Sequence, residues 1–314
     1  MSKYLIKRIL QTLLIVVIVS FISFLLVSLM PKDPVYALLG TDATAEEYEL
    51  TYKKLNLDKP IVVRYFLWVK DVIRGDFGTS YIYHMPVWNV LGPKLGITIY
   101  LAVVSMIISF PLGIVLGVIT AVNRGKKSDT IITLIANFLC GLPQFVVAIV
   151  LLYIFSMKLQ ILPSIGFTYP WDGFSMHMKQ IIMPVACLTL QSTASICRQT
   201  RSSVLEAYGQ DYVRTARSKG LKENVVILRH VTKNGLIPII TMIGSRLASL
   251  IGGSMFVEAV FSIPGMGMLM VKSINGVDIP IIQATVLLTA IIISISYIIT
   301  DILYVIVDPR ISLS

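Results

Sequence analysis

The residues of this 314-residue chain that could do chemistry are mostly cations, and they occur in two settings. Eight Lys/Arg residues crowd the polar stretch from Arg198 to Lys233, around Asp211-Tyr-Val-Arg214-Thr215-Ala216-Arg217-Ser218-Lys219-Gly220. Such a surface suits acidic groups on a protein or an anionic bilayer face, so its charge alone does not point to nucleic acid. The second setting is Arg246, alone inside an apolar run, where insertion scales put a charge at about +2.5 to +3.5 kcal/mol. Two uses are open for it: an ion pair with Asp301, or a polar path in which it attracts a carboxylate. Ser249 and Gly253 share its helical face, and Gln191 and Ser195 share another at i, i+4 among Thr189, Ser192 and Thr193. Those polar groups line a pathway or bond between helices, since either satisfies a polar group in hydrocarbon.

Catalysis is not expected. His84, His177 and His230 are scattered, with no nucleophile or metal spacing around them. Met176-His177-Met178 and Met266, Met268 and Met270 offer soft atoms, but methionine at a membrane boundary is ordinarily flexible packing, so no metal site is expected. Cys140, Cys187 and Cys197 have no paired spacing and are read as packing residues. No Gly-x-x-x-x-Gly-Lys-Ser/Thr occurs, so the chain lacks that cradle for nucleotide phosphates.

The elements that must position these residues are membrane spans. With 55% hydrophobic and 14% charged residues the chain is too apolar for an ordinary soluble fold. Apolar runs near 20 residues match about 30 Å of hydrocarbon. They lie near Gln11 to Met30, Thr98 to Val122, Thr130 to Met157, Gln180 to Ile196, Gly235 to Phe256 and Ile281 to Val307. The expected fold class is an all-α polytopic membrane protein with six transmembrane helices and both termini cytoplasmic. Under that orientation the inner pieces, residues 1–10, 123–129, 197–234 and 308–314, hold 15 Lys/Arg against 5 acids. Positive-inside bias is therefore strong. The first run follows Lys3, Lys7 and Arg8 but lacks a small-residue cleavage site, so it reads as an anchor. Arg246 then lies about twelve residues into the fifth span, roughly 18 Å deep and close to the midplane.

Four regions follow: residues 1–30, a cytoplasmic N-terminus and first helix; 31–97, an extracytoplasmic cap; 98–307, a five-helix core with the loop 197–234; and 308–314, a cytoplasmic tail. In the cap, Ala43 to Leu55 reads as helix, Leu57-Asp58-Lys59-Pro60 stops it, and Arg64 to Ile73 restarts with Tyr65, Trp68, Val69 and Val72 at helical spacing. Gly75 to Ser80 reads as a turn. Pro111, Pro143 and Pro184 interrupt apolar runs, and Gly113 and Gly117 let two helices approach closely. Arg198 to Asn234 is expected as two short helices meeting near Gly220, with Ser203-Val-Leu-Glu206 as a capping box and Gly220 left-handed.

Arg214-Thr215-Ala216, Gly220, Leu228-Arg229-His230 and Asn234-Gly-Leu-Ile-Pro238 together resemble the coupling loop of ABC importer permeases of the dipeptide/oligopeptide/nickel family. Leu57 to Pro60, Gly75 to Ser80, Val257-Glu258 through Gly267 and Asp308-Pro309-Arg310 extend the resemblance to that family's first-type permease over nearly the whole chain. The chain departs from the general importer motif in having Arg214 where an acid begins it and Thr232-Lys233 where Leu-Pro closes it. The resemblance implies a non-catalytic subunit in a bacterial-type cytoplasmic (inner) membrane, with no cofactor of its own. ATP and Mg would belong to two ABC ATPase subunits. Further partners would be a homologous second permease, an extracytoplasmic substrate-binding protein and the lipid bilayer; no nucleic acid is implied. Asp211, Arg214, Thr215, Ala216, Arg217, Lys219 and Gly220 would couple to the ATPase, with the small Ala216 and Gly220 at the contact and the cations against acids of its cleft. Gln191, Ser195, Arg246 and Ser249 would line the path of peptide cargo, Arg246 meeting a carboxylate such as a peptide C-terminus. Residues 31–97 with Glu258 to Gly267 would form the docking face for the binding protein. A nickel or metal-chelate cargo is the alternative within the class. A self-sufficient channel or ion-driven transporter is the alternative outside it, though neither internal repeats nor midplane acids stand out.

Overall fold

A computed structural model describes the backbone of residues 2–31, 33–40 and 42–307, and side chains of residues 8–31, 33–40 and 42–303. The readings placed on Lys3, Lys7, Asp308-Pro309-Arg310 and the tail 308–314 fall outside the described side chains. Among the described residues the chain is helical, with one isolated antiparallel bridge between Thr79 and Pro86. Five helices are long and apolar enough to cross a membrane, or six if one sharply bent pair counts as a single span. The chain divides into two compact units, Met1–Thr98 with Pro264–Ser294 and Ile99–Ile263 with Ile295–Ser314.

The first unit holds α1 (Ser2–Ser28), α2 (Pro34–Leu39), α3 (Ala45–Lys54), α4 (Ile61–Ile73) and the start of α5 (Val87–Val122). Thr44 and Glu47 form a reciprocal capping box that starts α3. Asn56, at φ 53°, turns the chain after it, and α4 begins directly behind Pro60. Tyr65 is the buried residue of α4: its ring packs edge-on against Phe21 and Phe24 of α1, and its hydroxyl lies 2.8 Å from Ser20 Oγ. The same unit contains α14 (Met266–Gly276) and the start of α15 (Ile279–Val307). Between them Asp278, fully buried, accepts from the Ser80 hydroxyl and from the amides of Tyr81 (3.1 Å) and Ile82 (3.2 Å). The Gly75 to Ser80 turn is thereby fastened to the residue that opens α15.

The second unit is built around α8 (Phe174–Tyr208), packed by α6 (Lys127–Gly141), α7 (Gln144–Leu151) and α13 (Ile243–Val260). Alpha-5 approaches α8 closely enough that a Cβ on Gly113 would stand 2.6 Å from Ile196 Cβ, and one on Gly117 2.7 Å from the Cys197 carbonyl oxygen. Glycine is required by that spacing. Asp129, at the start of α6, is held by Arg201 in a two-point pair (2.7 and 2.9 Å) and also accepts from Thr133 and the Gly125 amide.

Three expectations change. The third span is not one helix: it breaks between Gly141 and Gln144 with a bend of 104°, α7 continuing as a π-helical segment Leu152–Lys158. Pro143 has no amide to give an α-helical ladder and instead sits at the N-cap of α7. The fourth span runs on to Tyr208, so Ser203 and Glu206 lie inside α8 and form no capping box; Ser203 is buried there. The fifth span opens with short pieces, a π-helical Val226–Thr232 after α10 (Glu223–Val225), then α11 (Lys233–Gly235) and α12 (Ile237–Thr241), before α13. Pro238 in the first turn of α12 explains a break there, since a proline ring fits a helix start but not its interior.

Candidate functional site

The four residues expected along a path, Gln191, Ser195, Arg246 and Ser249, line one cavity of about 340 Å³ in the second unit. Alpha-7, α8 and α13 frame it, with Cys140, Gln144, Leu188, Ser192, Arg198 and Leu250 completing the wall. Gln191 Nε2 donates to the Leu142 carbonyl (2.9 Å), tying α8 to the break in the third span and satisfying a carbonyl that the helix end leaves without a ladder partner. Arg246 is half-buried, and its Nε has no hydrogen-bond partner; among the described residues it makes no ion pair, so the Asp301 pairing is not formed here. The Ser192 hydroxyl is buried and likewise without a partner. Sequence reasoning missed Arg198 and Gln144 as cavity residues. Arg198 stands three positions after Ser195, and that periodicity was the available signal.

The loop after α8 is built as follows. Alpha-9 (Asp211–Ser218) ends at Lys219, and Gly220 takes φ +74°, the left-handed conformation expected of it. Of the residues expected to couple, Asp211, Arg214, Thr215, Arg217, Lys219 and Gly220 are exposed. Ala216 is not. With Val213 it faces an apolar cluster of its own chain formed by Ala121, Val204, Ala207, Val226 and Val231, only 5% exposed. Its small size thus serves packing beneath α9 rather than an outward contact, because Val213 and Ala216 are one helical turn apart.

Arg217 is also engaged within the chain: it pairs with Glu223 through Nη2 (2.8 Å) and Nε (3.1 Å) and lies 4.8 Å over the Tyr208 ring. Tyr208 donates its hydroxyl to the same carboxylate. The Arg217 pair, then the Tyr208 bond, push the Glu223 carboxyl down to about 2. Arg214 is only 3.6 Å from Asp211, both well exposed. What remains outward is Tyr212 with Leu221, Val225 and Leu228, among Arg214, Lys219, Lys222 and Arg229.

Other expectations are resolved by burial. His177 is fully buried, donating from Nδ1 to the Thr168 carbonyl (2.6 Å) and accepting the Tyr100 hydroxyl at Nε2 (2.8 Å), so neither ring nitrogen is open to a ligand. Glu258, Phe261, Ile263 and Met266 are buried, which removes them from any docking face; exposed residues of α3 and α4 remain.

The described residues thus form a helical membrane protein in which a bent span and the long helix α8 frame a polar cavity. The chain belongs to the family described as the inner membrane component of binding-protein-dependent transport systems, which it matches over residues 113–313, with that family's N-terminal region matching residues 1–102. It is 35% identical over 311 residues, 99% of each chain, to a putative peptide transport system permease protein of Brucella abortus (strain 2308). It is 34% identical, again over 99% of each chain, to the glutathione transport system permease protein GsiC of Escherichia coli O1:K1 / APEC. A crystal structure of an amino acid ABC transporter overlays 68% of this chain and 89% of its own at a TM-score of 0.48 and 16% identity, too remote to bear on function.

Proposed function

We propose that this chain is the non-catalytic membrane subunit of an ATP-driven importer that carries peptides across a bacterial inner membrane. The cargo reading rests on full-length relatives named for peptide and glutathione transport. The chain works with a second, homologous permease, two ABC ATPase subunits that hold ATP and Mg, and a substrate-binding protein outside. Both termini and the loop 209–232 face the cytoplasm, in line with the basic excess of those segments.

The observation that carries the mechanism is the rigidity of the loop. Alpha-9 is seated on α5 and α8 through Val213 and Ala216 and braced by the Arg217–Glu223 pair. An ATPase cleft that grips its outer face, at Tyr212, Arg214, Thr215 and Lys219, moves α8 with it, because packed elements shift between discrete arrangements. Alpha-8 also carries Gln191, Ser195 and Arg198 into the cavity wall, so a force on the loop reaches the path directly. Gly220 turns the loop at a point where a side chain would meet open space, while Asp211 neighbours Arg214 at its start.

Affinity purification of the complex from cells expressing all subunits tests this reading. Tyr212→Glu with Arg214→Glu should lower recovery of the ATPase subunits well below that with the wild-type chain while the second permease remains. Full ATPase recovery with that variant would contradict the loop assignment.

A further inference from the structure

We propose that the cavity between α7, α8 and α13 is a carboxylate station, at which the free C-terminus of a peptide is held during passage; this rests on the reading of the chain as a peptide permease. Its wall holds two guanidinium groups, Arg198 and Arg246, and no acidic residue. The Arg246 Nε is buried without a partner, as is the Ser192 hydroxyl beside it in the wall. Buried charge without a counter-ion is costly, and an anion that accepts from both guanidinium and hydroxyl removes that cost.

The break in the third span adds to the same sign. Pro143 accepts the amides of Val146 and Val147, which leaves the first amides of α7, at Gln144 and Phe145, ahead of the ladder. Gln144 is itself in the cavity wall, so the positive end of a broken membrane helix opens there. Gln191 is already committed to the Leu142 carbonyl and orders the wall rather than the ligand. The volume of about 340 Å³ takes a small peptide terminus. Two forked donors placed on different helices, with a neutral hydroxyl in the same wall, suit a planar oxyanion such as a carboxylate.

The test uses the complete complex in proteoliposomes, with dialanine and dialanine amide as cargo at saturating binding protein. Arg246→Gln should lower dialanine uptake about tenfold, the loss of one charge-assisted pairing, and leave amide uptake within about threefold. Equal loss for both cargoes, or loss for neither, overturns the station. Because the binding protein can itself reject the amide, a second readout omits it. Thiol labelling of Ser249→Cys in the permease–ATPase complex, with Cys140 of the same wall replaced by serine, should be slowed by dialanine and not by its amide, an effect absent when Arg246→Gln is added. Equal protection by the two probes, or by neither, also overturns the station. A wild-type complex that imports neither cargo while dialanine still protects Ser249→Cys leaves the station standing and defeats the import reading instead.

Discussion

Replacing Ala216 by Glu separates a residue that packs its own chain from one that meets a partner. Ala216 is 5% exposed within the cluster of Ala121, Val204, Ala207, Val213, Val226 and Val231. A glutamate there adds a methylene and a carboxyl to a packed site, and the overpacking costs about 1–3 kcal/mol. The carboxyl must also stay protonated at pH 7, which from an ordinary pKa of about 4.3 costs about 3.7 kcal/mol. The combined cost, about 5 kcal/mol or more, rivals the whole stability of a small domain, so α9 is expected to lift off its seat. Hydrogen exchange of the amides of residues 213–218, on the chain in lipid nanodiscs without ATPase, reads this directly. Exchange should accelerate about a thousandfold or reach the exposed limit. Thr215→Glu, on the exposed face of the same helix, should leave exchange within a fewfold of wild type. Wild-type protection in Ala216→Glu would refute the inward placement.

Gly117→Ala should lower the melting temperature of the purified chain, although alanine favours a helix by about 1 kcal/mol, because the new methyl meets the Cys197 carbonyl oxygen; an unchanged or raised value would contradict the close approach. Asp278→Ala should cost about 3–5 kcal/mol, since it removes a charged acceptor from three donors, and should open the Ser80 to Tyr83 turn to protease; a resistant turn would refute the fastening. Glu223, depressed to about 2 from an ordinary 4.5, stabilises the loop fully above about pH 4.5 and loses that contribution as pH falls through about 2. The Arg217 Nε nuclear resonance should therefore titrate near 2, and a midpoint at 4.5 would show that the brace is absent in solution.

Much of this was legible in the sequence. The spans came from apolar run length, α3 and α4 from their punctuation, and a close helix approach on α5 from the spacing of Gly113 and Gly117, its partner α8 being visible only in the structure. Polar atoms in an apolar run need protein or water around them, and Gln191, Ser195, Arg246 and Ser249 do meet at one cavity. The misplacements have definite causes. Ser203 followed by Glu206 fits a capping box equally well inside a helix, and burial of Ser203 in α8 overrides the local signal. The break at Pro143 depended on whether neighbours could take up the orphaned carbonyl, which Gln191 of a different helix does. Ala216 was assigned outward because its size suited a contact; Val213 three residues before it was the sign that this face turns inward.

The most direct measurement of the central claim is uptake of a radiolabelled dipeptide by proteoliposomes holding the chain, its second permease, two ATPase subunits and the binding protein. Accumulation above the external concentration that requires ATP hydrolysis, and that the chain alone does not support, is the predicted result. Passive equilibration by the chain alone, indifferent to ATP, would contradict it and favour a self-sufficient channel.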